Sequence, residues 1–140
     1  MARAFSLSKR VEFAETDLAG VMHFANYFRW MEEIEHAFLR SIELNVISEH
    51  DGGQVSFPRK AVHCEYSAPV HFQDEVELSL RVTRIGEKSL EYEVEFRHEG
   101  RRVALGRQVV VCCRMHDGKF DAISIPDFIR AGLQAYTVEE

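Results

Sequence analysis

The stretch Phe24-Ala25-Asn26-Tyr27-Phe28-Arg29-Trp30-Met31-Glu32-Glu33-Ile34-Glu35-His36-Ala37-Phe38-Leu39-Arg40-Ser41-Ile42 decides how the rest of the chain must fold. Tyr27, Trp30, Met31, Ile34, Phe38 and Ile42 recur at three- and four-residue steps, with Glu32, Glu33, Glu35 and Arg40 between them. That spacing predicts an amphipathic helix of about five turns. Its apolar side is wide and aromatic, so other structure must cover most of it.

Beyond the helix the period changes. Ser48 to Gly53, with Asp51-Gly52-Gly53, reads as a loop. After it, Val76, Leu78, Leu80 and Val82 alternate with Glu77, Ser79 and Arg81, and Leu90, Tyr92, Val94 and Phe96 alternate with Glu91, Glu93 and Glu95. A period of two predicts strands with one wet face. The connectors Ile85-Gly86-Glu87-Lys88 and Glu99-Gly100-Arg101 suit hairpins and therefore antiparallel neighbours. Val55 to Tyr66 supplies another strand, with Val62, Cys64 and Tyr66 on one face, and Val103 to Met115 a further one ending at Asp117-Gly118. Within it Val109 to Cys113 is apolar on both faces, which predicts cover on both sides, by the helix on one and by a partner subunit or the C-terminal segment on the other. Phe5 to Phe13 forms a shorter strand before the helix, and Pro126 to Tyr136 suits a short closing helix. The class is α+β: an antiparallel sheet of about five strands, with the one long helix lying across its apolar face.

The whole chain narrows the function classes. Its 140 residues, 46% apolar, suit a single domain spanning 1–140 with one continuous core. The longest strongly apolar run is far short of the roughly 20 residues a membrane helix needs. The first ten residues contain no secretory apolar block, so cytoplasm is the expected compartment. Cys64, Cys112 and Cys113 are odd in number and lack C-x-x-C spacing, so neither a disulfide framework nor a metal site is expected. A net charge of −6 argues against a nucleic-acid surface.

Chemistry is expected where the first strand meets the helix, in Val11-Glu12-Phe13-Ala14-Glu15-Thr16-Asp17-Leu18-Ala19-Gly20-Val21-Met22-His23-Phe24-Ala25-Asn26-Tyr27. Polar groups concentrate there beside an aromatic helix. Asp17 is ionised at neutral pH and able to attack a carbonyl or activate water. The open N–H groups and positive dipole end of a helix N-terminus suit a developing oxyanion. Gly20 allows a tight turn that brings the two together.

This segment resembles the signature of the 4-hydroxybenzoyl-CoA thioesterase family of hotdog proteins: an acidic residue, Thr or Cys, and Asp, then two residues, Gly-Val, and Asn or Ser with Tyr entering the helix. The matching residues are Glu15, Thr16, Asp17, Gly20, Val21, Asn26 and Tyr27, and the likeness runs in order from Val11 to about Met115. The resemblance implies a hotdog fold, a sheet wrapped around one central helix, in homodimers or homotetramers with active sites at the subunit interface. It implies hydrolysis of an acyl-CoA thioester with Asp17 as the catalytic carboxylate and the Phe24 backbone N–H polarising the carbonyl. No cofactor is implied, CoA being part of the substrate. His23 is a further candidate for positioning water or shuttling a proton. Asn26 either caps the helix or meets substrate, and Tyr27 forms core or pocket wall. Among the cations, Lys88 with Ser89 follows the Gly86 hairpin, where the resemblance places nucleotide and pantetheine contacts; Arg59 is a weaker candidate for the CoA phosphates. A hydratase or dehydratase of hotdog type, or a non-catalytic acyl-CoA-binding protein, are the competing functions. The acyl group is not legible.

Overall fold

The computed structural model describes residues 3–45, 47–50 and 52–137. Strand β1 (Phe5–Arg10) leads through a turn of 3-10 helix (Phe13–Glu15) and a loop into α1 (Ala25–Ser41). Strands β2 (Ile47–His50), β3 (Gly53–Ser56), β4 (Arg59–Tyr66), β5 (Glu75–Ile85), β6 (Ser89–His98), β7 (Arg101–Val111), β8 (Cys113–His116) and β9 (Lys119–Ala122) follow. Helix α2 (Asp127–Leu133) and a 3-10 turn (Gln134–Tyr136) close the described chain. The main antiparallel sheet has the order β1-β5-β6-β7-β4, and β2-β3-β8-β9 form a second one.

The period-two residues are where burial selects them. Val76, Leu78, Leu80 and Val82 on β5 and Leu90, Tyr92, Val94 and Phe96 on β6 are all buried, with the intervening acidic residues turned outward. Against this face lies α1, which buries Tyr27, Trp30, Met31, Ile34, Phe38 and Leu39. Tyr27 packs edge-on against Phe96 of β6 at 5.2 Å, and Phe38 against Tyr92 at 6.2 Å. The helix sits close enough to β7 that a Cβ on Gly106 would lie 2.6 Å from the Met31 sulfur. A side chain at this position would have to displace the end of Met31.

Four expectations need correcting. The Ser48–Gly53 loop is instead part of a hairpin in which β2 pairs with β3, Ile47 opposite Ser56 and His50 opposite Gly53. Val55 to Tyr66 is not one strand: it breaks at Phe57-Pro58, where proline withholds a ladder N–H, so β3 joins the second sheet and β4 the first. Val103 to Met115 breaks beside it at Cys112, and the Val111 N–H donates to the Pro58 carbonyl at 3.0 Å, so both chains change sheets at the same level. The long helix is also joined by α2, which with Gln134–Tyr136 packs on the α1 side, Tyr136 lying 4.8 Å from Phe38. The C-terminal segment therefore does not cover the opposite face of Val109 and Val111, which stay half-buried.

Glu35 is spaced among the wet residues of α1, yet it is 1% exposed. Arg59 at the start of β4 donates to its Oε1 at 2.6 Å.

Candidate active site

Between β1 and α1 the backbone closes on itself. The Asp17 N–H donates to the Val21 carbonyl at 3.0 Å and the Gly20 N–H to the Asp17 carbonyl at 2.9 Å, with Gly20 at φ +80, the left-handed conformation glycine adopts without strain. Asp17 Oδ1 accepts the Ala19 N–H at 2.9 Å, an Asx turn. This bond orients the carboxylate and leaves Oδ2 free of backbone, 3.8 Å from His23 Nδ1. The Met22 N–H donates to the Val70 carbonyl at 2.8 Å, so the loop is stitched to the segment after β4.

Helix α1 begins without a side-chain cap. The Asn26 and Tyr27 N–H groups reach back to the carbonyls of His23 and Phe24, whereas the Phe24 N–H has no acceptor among the described residues. Asn26 is not a cap: its side-chain amide donates to the Glu15 carbonyl at 2.8 Å.

A cleft of about 370 Å³ opens here, lined by Asp17, Val21, Met22, Phe24 and Tyr27 on one side and by Tyr66, Ser67, Ala68 and Pro69 on the other. Its wall is largely apolar, and Asp17 is the one carboxylate in it. Tyr66 stacks edge-on to Tyr27 at 4.8 Å and its hydroxyl donates to the Phe24 carbonyl at 3.3 Å. Burial pushes the Tyr27 and Tyr66 hydroxyls up to about 12, and the neighbouring Cys64 thiol up to about 11. All three stay protonated near neutrality, so none competes with Asp17 as a base.

Beneath the loop lies Glu15, 6% exposed. Burial alone would raise its carboxyl, but the Glu12 N–H, the Trp30 indole and the Arg29 guanidinium hold it below its ordinary value.

The loop–helix geometry thus unites Asp17, Val21, Phe24 and Tyr27 in one cleft, with Gly20 shaping the turn and His23 beside the carboxylate. Arg59, Lys88 and Ser89 do not line it. Arg59 is engaged with Glu35, eleven residues beyond Phe24 and about 16 Å along the helix. The Lys88 carbonyl accepts the Cys112 N–H at 2.7 Å at the far hairpin. Tyr66, Ser67, Ala68 and Pro69 escaped the sequence reading as cleft residues; the Ser-Ala-Pro ending of a strand is the only local mark they carry.

A family model described as the Thioesterase-like superfamily matches residues 11–133. The chain belongs to this superfamily. Among similar members, a 1,4-dihydroxy-2-naphthoyl-CoA hydrolase of Synechococcus sp. (strain WH7803) is 33% identical over 138 residues, covering 92% of this chain and 88% of that protein. Another 1,4-dihydroxy-2-naphthoyl-CoA hydrolase, of Prochlorococcus marinus (strain MIT 9313), is 32% identical, covering 80% of this chain and 84% of that one. The solved structure of a gentisyl-coenzyme A thioesterase superposes with a TM-score of 0.80 at 29% identity, over 92% of this chain and 99% of the other. The match to the superfamily model begins at Val11, just before the loop that carries Asp17, and spans both walls of the cleft.

Proposed function

We propose that this thioesterase-like protein hydrolyses acyl-CoA thioesters in the Asp17 cleft, releasing a free acid and CoA. The observation that carries the reading is the common lining: Asp17 and Phe24 face one apolar cleft in a superfamily whose similar members are named as CoA-thioester hydrolases. The Phe24 N–H, at the positive end of α1, polarises the thioester carbonyl and accepts the charge of the tetrahedral intermediate. Asp17 Oδ2 draws a proton from water as the water oxygen bonds to the carbonyl carbon, or attacks that carbon itself to give a mixed anhydride that water cleaves to the free acid once CoA has left. The C–S bond then breaks and the CoA sulfur takes up a proton. The apolar wall suits an acyl group, and the aromatic substrates named for the relatives fit rings such as Tyr27, Tyr66 and Phe24. The finer assignment, to the 4-hydroxybenzoyl-CoA thioesterase family, is supported by the motif around Asp17.

The assembly is part of the same reading. Strand β4 lies at the edge of the main sheet and is exposed along nearly its whole length, Val62 and Tyr66 at 46% and 44%. An exposed edge of this length is a template for pairing. Sedimentation equilibrium is expected to return at least twice the chain mass.

The test is a thiol-release screen over aromatic and aliphatic acyl-CoAs. Turnover with at least one aromatic substrate supports the proposal, whereas tight binding of all of them without CoA release would overturn it in favour of a binding protein. His23→Ala is expected to keep kcat within about tenfold of the parent, because His23 Nδ1 is 3.8 Å from Asp17 Oδ2, beyond a direct hydrogen bond. A thousandfold loss in steady-state kcat would instead make His23 the base.

A further inference from the structure

Glu15 is the most heavily bonded residue of the loop region, and nothing in the proposed chemistry uses it. Its Oε1 accepts the Glu12 N–H at 2.8 Å, and its Oε2 accepts Trp30 Nε1 at 2.7 Å and the Arg29 guanidinium at 2.9 Å. Its backbone carbonyl accepts the His23 N–H at 2.8 Å and the Asn26 side-chain amide at 2.8 Å. Two strands of loop therefore converge on one residue. The segment from Thr16 to Met22 is a closed excursion, its ends joined by a bridge between those two residues. Asp17 leaves the clamp on one side, two residues after Glu15. The His23–Phe24 peptide, whose N–H is the proposed oxyanion donor, leaves it on the other.

We propose that Glu15 is a positioning residue for hydrolysis: its side chain anchors the loop to Arg29 and Trp30 on α1, its carbonyl holds His23 and Asn26, and together they set the Asp17 carboxylate against the Phe24 N–H. The inference rests on the reading that those two groups carry the reaction. The helical face gives the anchor its stiffness. Trp30 is fully buried, so its indole N–H cannot turn to water, and the carboxylate oxygen it meets is itself almost sealed from solvent. Bonds from donors to a buried carboxylate are short and directional, and the loop has little freedom left while they persist. Glu15 does not line the cleft. Its loss should therefore leave the acyl wall intact and misalign the two reacting groups, and a displacement on the order of 1 Å between such groups lowers turnover by about a hundredfold.

Glu15→Gln keeps the shape and removes the charge, placing an amide NH2 against donors that need an oxygen. Steady-state kinetics should show kcat lowered about 10- to 100-fold with KM changed less than threefold, because substrate contacts survive. A merely structural role would lower the active fraction, so active sites are counted by single-turnover burst amplitude; full amplitude with a slowed rate is the expected signature. A folded Glu15→Gln enzyme with kcat within threefold of the parent, alongside an inactive Asp17→Asn enzyme, overturns the positioning role and leaves the hydrolysis reading standing. If Asp17→Asn itself turns over normally, the underlying reading falls first. Should Glu15→Gln fail to fold, Asn26→Ala decides: it removes one of the two donors to the Glu15 carbonyl while leaving the buried carboxylate in place. A lower kcat at unchanged KM supports the clamp, and an unchanged kcat refutes it.

Discussion

Asp17→Asn lowers kcat for acyl-CoA hydrolysis by about 10³-fold, with folding stability essentially unchanged; carboxylates acting in proton transfer contribute about 10²- to 10⁴-fold. The substitution is a sharp probe because of the Asx turn. Asparagine keeps an oxygen in the Oδ1 position to accept the Ala19 N–H, so the turn closed by Gly20 survives. What is lost is the charge on Oδ2, the oxygen that no backbone group holds. A residual rate should remain, since the Phe24 N–H still receives charge from the carbonyl oxygen. Thiol release measured beside thermal unfolding checks both halves. An Asp17→Asn enzyme that turns over within tenfold of the parent removes Asp17 from the chemistry. Single turnover of the parent in oxygen-18-enriched water then separates the two modes of attack. General-base hydrolysis labels the product acid at once, whereas attack by the Asp17 carboxylate allows an unlabelled enzyme oxygen into it.

Much of this architecture was legible because the signals were local. The two alternating runs on β5 and β6 and the three-and-four spacing on α1 each follow from one element facing one core. Asp17, Gly20, Val21, Phe24 and Tyr27 are likewise contiguous, and so their shared turn and cleft could be expected from one segment. The illegible features depend on chain that returns from far away. The switch of β4 and β7 between sheets is marked only by Pro58 and an unremarkable Cys112, since an apolar run looks alike whether it stays in one sheet or crosses to another. The second cleft wall, Tyr66 to Pro69, is brought in by a strand far downstream of the helix start, and no pattern within it points to Asp17. The burial of Glu15 and Glu35 is not legible for one common reason: a carboxylate among polar neighbours carries no local mark of burial, which depends on donors elsewhere. For Glu15 these are an indole and a guanidinium on α1, and for Glu35 an arginine 24 residues onward.

That distant arginine gives the largest expected change in stability. Arg59→Met should destabilise the fold by about 3–5 kcal/mol near neutral pH, the usual consequence of taking the principal partner from a buried carboxylate. The size follows from burial: Glu35 is 1% exposed, and the Arg59 contact at 2.6 Å is its strongest compensation. Burial pushes the Glu35 carboxyl up, Arg59 pulls it down, and nearby Glu32 pushes it up again; the net result lies above the ordinary value of 4.5. A folded state that holds its proton more tightly than the unfolded chain is favoured at low pH. Glu35's contribution is therefore fully present below about 4.5 and is lost as pH rises through the raised folded value. Removing Arg59 deletes the charge and hydrogen bond that pull the carboxyl down and carries that window further toward neutrality. Urea midpoints of parent and variant should consequently lie close together near pH 5 and diverge toward about pH 7.5, windows set by ordinary carboxylate titration. Adding Glu35→Gln to the variant removes the buried charge and should recover most of the neutral-pH loss. An equal deficit at both pH values, unmoved by Glu35→Gln, would mean that Arg59 supports the fold through the packing of its stem along α1 rather than through its charge.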